Sequence, residues 1–180
     1  MPATRAVTSD AAVEDLGPER SGHADPSAPT IFLLAEQYRA AALALFGSSR
    51  PRVALSHAPW RLMAAHSVEL YLNAFLLAAG LDQKSIRKLQ HDLVARAELA
   101  GEKGLVLRRR TVGHLKQMME TREYLSVRYY PQALANFLPP SRTFATLTEV
   151  ANKTAKLIAA TAGSVEHLSS PEARRQGRTM

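Results

Sequence analysis

Residues 57–81, HAPWRLMAAHSVELYLNAFLLAAGL, predict a single long helix that is apolar on nearly every side. Pro59 suits the first helical turn, because the N–H that proline lacks would have no partner there, and Gly80 lies where the helix is expected to end. A helix that is apolar all round belongs in the interior of a domain. This stretch therefore predicts the central helix of a bundle.

Three polar side chains interrupt this helix along one side. At about 100° per residue, His66, Glu69 and Asn73 fall within a sector of roughly 60°. Burying such groups without partners costs a few kcal/mol each, so we expect them to be buried and paired. The stripe is the first candidate for a shared polar site.

The remaining sequence predicts an all-α bundle of about five helices, with no strand. The other four helices are expected at residues 30–47 with Thr30 as cap, from Ser85 to Gly101 or Gly104, from a cap at Thr111, and from a cap at Ser141 to about residue 162. Their core positions, spaced by three or four residues, are expected to be Ile31, Leu34, Ala35, Tyr38, Ala42 and Leu45; Ile86, Leu89, Leu93, Ala97 and Ala100; Val112, Leu115, Met118, Met119 and Leu125; and Phe144, Leu147, Ala151, Thr154, Leu157 and Ile158.

Composition separates the chain into three parts. Residues 1–29 have no usable periodicity and predict a disordered arm, residues 30–162 form the helical domain, and residues 163–180 predict a polar tail.

There is no cysteine, which excludes disulfides, thiolate metal sites and cysteine nucleophiles. No apolar run is long enough to span a bilayer and the N-terminus lacks an apolar signal core, so we expect a soluble cytoplasmic protein.

The helical domain is strongly basic. Residues 30–162 carry 18 Lys and Arg against 9 Asp and Glu, a net charge of +9. Such a domain favours a nucleic acid, a nucleotide or another acidic partner. An arginine-rich solvated surface without a partner would give the same composition, and the charge alone leaves both interpretations open.

Several kinds of catalytic site have no support in the sequence. No two of the six histidines lie three or four residues apart, and there is no HExxH motif, so no metal site is expected. There is no GxSxG motif and no glycine-rich phosphate loop. We therefore expect neither serine hydrolase chemistry nor a bound cofactor.

Two local motifs can carry binding chemistry: QHDL at residues 90–93, inside the expected third helix, and YLSVRYYP at residues 124–131. An arginine among tyrosines can contact a phosphate while a ring stacks on a base. The alternatives are that QHDL anchors a neighbouring loop and that RYYP is a packed turn. With the polar stripe, the candidate ligand-binding residues are Glu69, His66, His91, Asp92, Arg122, Tyr124, Arg128 and Tyr129.

The order of these motifs resembles the HEPN superfamily, named for a domain of higher eukaryotes and prokaryotes associated with nucleotide binding. Members have a central helix in which a glutamate precedes a leucine-rich stretch, similar to residues 69–77, and an HDL signature, similar to residues 91–93. Many have an RYP turn before the last helix, similar to RYYP at 128–131 with one inserted tyrosine. The likeness covers residues 30–162 and implies a compact helical bundle that is often a homodimer.

The resemblance implies two roles. Some members are metal-independent ribonucleases of the toxin–antitoxin or defence type, which use Arg-x(4–6)-His in a dimer cleft, and others bind nucleotides or act as non-catalytic partners. Formal Arg-x4-His matches in this chain are Arg52–His57, Arg61–His66 and Arg109–His114. The third is the best placed, although it lacks the polar residue that usually follows the arginine. If the chain is a ribonuclease, the resemblance implies that Arg109 and His114 are its catalytic residues.

Three expectations follow from the sequence. The first is a HEPN-like homodimer that binds a nucleotide or RNA, or a protein partner, without catalysis and without contact with a membrane. The second is the metal-independent ribonuclease. The third is a structural or regulatory interaction bundle in which the polar stripe only sets the register of the helices.

Overall fold

The computed structural model describes residues 25–130 and 137–169, with side chains as far as Thr161. These residues form an all-α bundle and contain no strand, as the sequence predicts. The elements are α1 (Ala28–Gly47), a 3-10 turn (Ala54–His57), α2 (Ala58–Ala78), α3 (Gln83–Lys88), α4 (Leu93–Glu102), α5 (Arg109–Glu120), α6 (Glu123–Tyr129) and α7 (Pro140–Ser169).

Helix α2 is the centre of the bundle. It packs against α1, α4, α6 and α7, and most of its side chains are buried. Pro59 lies in its first turn, and Gly80 has a φ of +89°, the left-handed conformation that commonly follows a helix C-terminus. The predicted boundaries of this helix are confirmed to within three residues.

The N-terminal cap of α1 is Ser27, not Thr30 as the sequence suggested. The Ser27 Oγ accepts a hydrogen bond of 3.3 Å from the Thr30 backbone amide, and Pro29 occupies the first turn. The assignment of Leu34 and Leu45 to the core was also wrong, since they are 42% and 38% exposed. The buried positions of α1 are alanines, so the helix lies close to α2 on one side and presents leucines on the other.

The expected third helix is two helices. Gln90 has a φ of +48°, which ends the α-helical path, and the Asp92 carboxylate accepts hydrogen bonds of 2.9 Å from the amides of Val94 and Ala95. Asp92 is therefore the N-cap of α4. The prediction that His91 lies inside a helix was wrong, since it lies in the loop between α3 and α4. The apolar period from Ile86 onward continues across this break, which is why the sequence read as one helix.

Helix α5 begins at Arg109, so Thr111 is not its N-cap as expected. Thr111 lies within the first turn, where its buried hydroxyl donates a hydrogen bond to Glu149 on α7. The assignment of Leu125 to the core of the same helix was wrong. A separate helix, α6, carries Leu125, which is 41% exposed.

The last helix begins one residue before Ser141 and continues to Ser169, beyond the end expected near residue 162. The greater part of the expected arm and tail, residues 1–24 and 170–180, lies outside the described residues, as do residues 131–136, which include Pro131 of the RYYP motif. Within the described ranges, none of the helices combines the length and the apolar character needed to cross a membrane.

Candidate functional site

The polar stripe of α2 centres on a buried carboxylate. Glu69 is 7% exposed, and each of its oxygens has a partner from outside α2. Oε1 lies 3.1 Å from Nη2 of Arg96, and Oε2 lies 3.2 Å from Nδ1 of His91. Burial lowers the pKa of Arg96, and the nearby carboxylates of Glu69 and Asp92 oppose that change. The result is a buried ion pair with an exposed histidine attached to it.

Arg96 also fixes the loop that carries His91. Its Nε donates to the Asn73 side-chain oxygen at 2.7 Å, and Nη1 donates to the carbonyls of Leu89 and Asp92 at 3.2 Å. Nη2 donates to the carbonyl of Gln90. One buried guanidinium thus ties three carbonyls of the α3–α4 loop to the central helix, and the position of His91 follows from it.

Three side chains above this ion pair form a stack that we call the ring cluster: His91, Tyr124 and Arg128. The rings of His91 and Tyr124 are stacked, with centroids 4.5 Å apart and an interplanar angle of 28°. The Cζ atom of Arg128 lies 4.0 Å from the Tyr124 ring centroid, and its guanidinium donates to the Tyr124 hydroxyl. The His91 side chain is 58% exposed, so much of the imidazole remains open to solvent.

An open groove of about 270 Å³ adjoins the ring cluster. Its lining is apolar apart from one arginine and the two rings, and consists of His91, Met118, Met119, Arg122, Tyr124 and Leu125. A narrower cleft, lined in part by Glu69, His91 and Tyr124, leads inward. The groove is the natural place for a planar, partly apolar ligand next to the ring cluster.

The backbone is strained on both sides of the ring cluster. Gln90 and Arg122 are the two non-glycine residues with left-handed φ in the described chain, at +48° and +47°. Such conformations cost on the order of 1 kcal/mol or more each, and they concentrate at functional sites. Gln90 directly precedes His91, and Arg122 lies two residues before Tyr124, so each left-handed residue lies next to one of the two stacked rings.

His66 lies beside the site without joining its hydrogen bonds. Its ring packs edge-on against Tyr38, with centroids 4.5 Å apart, and its Nδ1 has no hydrogen-bond partner in the described structure. Burial lowers the pKa of His66, Glu69 opposes the change, and the charges of His91 and Arg128 add to it. The stripe is therefore paired at Glu69 and Asn73 but not at His66.

The structure brings together four of the eight candidate ligand-binding residues: Glu69, His91, Tyr124 and Arg128. The others have different positions. Asp92 caps α4, which matches the alternative in which QHDL anchors a loop. Arg122 lines the groove and His66 adjoins the site. Tyr129 is 66% exposed and does not line the groove.

Sequence reasoning missed Arg96, the residue that organises the site. A signal was present, because Arg96 lies between the core positions Leu93, Ala97 and Ala100 of an amphipathic helix. A cation on a core face requires a buried acid, and Glu69 was the one candidate on the central helix.

Arg109 and His114 lie on different faces of α5, roughly 140° apart at about 100° per residue. Arg109 is exposed, whereas His114 is 3% exposed, with its Nδ1 2.8 Å from the Thr146 hydroxyl. Burial lowers the pKa of His114 to about 4, and the charges of Arg142 and Arg61 add to this. Within one chain the two residues do not converge on a common substrate position.

Comparisons of the chain with family models, curated proteins and solved structures found no match. Among the side chains that the structure describes, no group of three or more His, Asp or Glu is arranged to hold a metal ion. Function is therefore inferred from the residues of the site and their geometry.

Proposed function

We propose that the chain is a HEPN-like domain that binds a nucleotide or nucleic acid at the ring cluster and does not cleave it. The observation that carries this proposal is the stack of His91, Tyr124 and Arg128 at the side of an open groove, held in place by the buried Glu69–Arg96 pair. Stacked rings beside exposed guanidinium groups are typical of sites that hold a base and its phosphate.

Different groups of the site are expected to contact different parts of the ligand. The exposed His91 ring offers a surface for a base, and the methionines of the groove, Met118 and Met119, supply an adaptable apolar floor. Arg122, which lines the groove, and Arg128, which is exposed on the Tyr124 ring, supply guanidinium groups for phosphate oxygens. The Glu69 carboxylate lies 3.2 Å from Nδ1 of His91 and orients the ring, so that Nε2 is the nitrogen left to contact an amino or hydroxyl group of the ligand.

Two observations favour binding over cleavage. A histidine that acts as acid or base must reach the substrate, whereas His114 is buried with a pKa of about 4. Arg61 of another Arg-x4-His match is also buried and donates to Glu123 at 2.8 Å. Neither pair, within one chain, offers a phosphate-binding arginine next to a titrating histidine.

Two observations also favour a binding site over a purely structural stripe. A stripe that only fixed helix register would be fully paired and closed, but His66 Nδ1 lacks a partner in the described structure and a groove adjoins the ion pair. The left-handed backbone of Gln90 and Arg122 lies next to the two stacked rings, and strained residues of this kind are enriched at functional sites.

We further propose that the domain acts as a homodimer through α1. The outward face of α1 carries Leu33 and Leu43, which are 63% and 50% exposed, with Gln37 as a polar residue between them. The charged side chains of this helix, Glu36 and Arg39, are partly buried, pair with each other at 3.6 Å, and lie two turns and one turn before Leu43. Exposed leucines of this kind are typical of an association surface.

The experiment that tests ligand binding is calorimetric titration with ATP, GTP, UTP and a twelve-nucleotide oligouridine. Arg128→Ala is expected to weaken binding about tenfold or more, because it removes a charge-assisted hydrogen bond to phosphate. Its midpoint of thermal unfolding should stay close to that of the wild type, since Arg128 is exposed. Arg52→Ala, another exposed arginine, is the matched control, and equal affinities for the two variants would remove Arg128 from the site.

A further inference from the structure

A second groove lies at the other end of α5, between its N-terminus and α7. Two adjoining hollows of about 630 and 420 Å³ share Arg108, Ala145 and Glu149, and so form one continuous depression. Five cations line this surface, which we call the basic groove: Arg108, Arg110, Arg142, Lys153 and Lys156.

The single acid of the basic groove is already engaged. Glu149 is 9% exposed and accepts hydrogen bonds from the Arg108 amide at 2.9 Å, from the Thr111 hydroxyl at 2.6 Å and from Lys153 Nζ at 2.6 Å. Burial alone would raise the pKa of Glu149, but these bonds outweigh burial and lower it. The carboxylate holds the start of α5, and Lys153 is its cation partner.

The cations without such a partner face outward. Arg110 and Lys156 are exposed, and neither forms an ion pair within the described structure. Arg142 is half-buried at the same rim and is close enough to His114 to lower its pKa. Four positive charges, those of Arg108, Arg110, Arg142 and Lys156, therefore remain to attract an anion, with Glu149 already neutralised by Lys153.

The exposed face of α7 extends the basic groove with hydrogen-bond donors. Positions 141, 145, 148, 152 and 156 repeat at intervals of three or four and carry Ser, Ala, Thr, Asn and Lys, with no acid among them. At 1.5 Å per residue these 15 steps cover about 22 Å. This length is enough to contact several consecutive phosphates of a nucleic-acid strand.

The aromatic ring in the basic groove is not free to stack on a base. Phe144 is stacked on Trp60, with centroids 5.2 Å apart and an interplanar angle of 19°, and packs edge-on against Phe46. The groove therefore offers cations, hydroxyls and an amide but no open ring. These groups contact phosphates and sugars, which position a nucleic acid without reading its sequence.

We propose that the basic groove binds the phosphodiester backbone of a nucleic acid, independently of sequence, as a second site separate from the ring cluster. The two surfaces share no lining residue and lie at opposite ends of α5. The proposal stands without the proposed function, because a nucleic acid can occupy the basic groove whether or not a nucleotide occupies the ring cluster.

The test is fluorescence anisotropy with a labelled twelve-nucleotide oligothymidine, titrated at several salt concentrations. Arg110→Ala/Lys156→Ala removes two exposed cations whose loss disturbs no described ion pair. The slope of log affinity against log salt is expected to fall in magnitude by about 1.4, which corresponds to two single-strand phosphate contacts. Affinity at about 100 mM salt should fall at least fivefold relative to the control Arg52→Ala/Lys84→Ala, which removes the same residue types elsewhere.

Two results would overturn the proposal. In the first, the double variant and its control bind the oligonucleotide with the same affinity and salt slope. In the second, Arg128→Ala abolishes oligonucleotide binding while the double variant retains all of it, which assigns the strand to the ring cluster. A competition with polyglutamate is the control for these two results. Displacement of the oligonucleotide only at a large excess of polyglutamate charge supports a phosphodiester site, and displacement at equal charge concentration would overturn it by showing that the groove binds any polyanion.

Discussion

Arg96 on α4 and Glu69 on α2 form a buried ion pair, with 3.1 Å between Nη2 and Oε1 and at least 91% of each side chain removed from solvent. The same carboxylate holds His91, and the same guanidinium holds the carbonyls around His91. The pair thus couples the central helix to the loop on which the ring cluster depends.

Removing the arginine of this pair is expected to destabilise the whole domain. Arg96→Ala should lower the free energy of unfolding by about 3 kcal/mol or more, because Glu69 is left buried without its cation partner. Urea denaturation measures the loss. Arg87→Ala is the matched control, since its ion pair with Asp25 is about 70% exposed and contributes less than about 1 kcal/mol. Similar losses in the two variants would show that the buried pair is not structurally important.

Much of the fold could be predicted because α2 is apolar on every side and bounded by Pro59 and Gly80. The apolar periodicity predicted one continuous helix across Leu89 to Leu93, but the backbone turns at Gln90 although the apolar spacing continues. It also predicted the wrong core residues on α1, because leucines with the spacing of core residues are exposed there. Periodicity records which residues are apolar, but not whether another element covers them.

The candidate site could be predicted in part for a similar reason. Glu69, His91, Tyr124 and Arg128 were identified by residue type and motif. The stacking of His91, Tyr124 and Arg128 depends on how the α3–α4 loop and α6 lie against each other, which no local sequence pattern indicates. Conversely, a capping aspartate such as Asp92 has the same residue type as a ligand-binding aspartate, and only its bonds to backbone amides distinguish the two.

Stability is expected to fall between pH 7 and pH 5 because of His114. Its pKa is about 4 in the folded protein against 6.5 as a model value, so the unfolded chain binds more protons across this range. This residue alone should remove about 2 kcal/mol of stability at pH 5 relative to pH 7. Urea denaturation at the two pH values measures the difference.

The control for this pH dependence is His114→Gln, which keeps a polar group near Thr146 but does not titrate. Burial raises the pKa of Glu123, which contributes in the opposite direction in both proteins, so the wild type and the variant are compared directly. The variant should lose about 2 kcal/mol less between pH 7 and pH 5. An unchanged pH dependence would exclude His114 as its source.

Labelled RNA incubated with the protein is expected to stay intact, with or without a chelator. The reason is that His114 is buried and lies away from Arg109 on α5. Gel electrophoresis of the products measures cleavage. Chelator-resistant cleavage that disappears in His114→Ala would establish the ribonuclease instead. Cleavage that disappears only in His91→Ala would transfer the catalytic role to the Glu69–His91 pair.

Substituting exposed leucines of α1 with aspartate is expected to separate a homodimer into monomers. Leu33→Asp/Leu43→Asp places two carboxylates among the exposed leucines of α1, and both positions are at least half exposed, so the monomer should still fold. Light scattering after size exclusion measures the mass. Val106→Asp, at a residue 78% exposed on the α4–α5 loop, is the control. A wild-type protein that is already monomeric would contradict the dimer.

The most direct test of the central claim is a nuclear magnetic resonance titration of isotope-labelled protein with ATP and with oligouridine. We predict that the largest amide shift changes occur at His91, Tyr124 and Arg128, and that Arg128→Ala weakens them while Arg52→Ala does not. The absence of any change in the ring cluster at millimolar ligand would contradict the claim. Changes confined to the basic groove would contradict it equally, while supporting the second site.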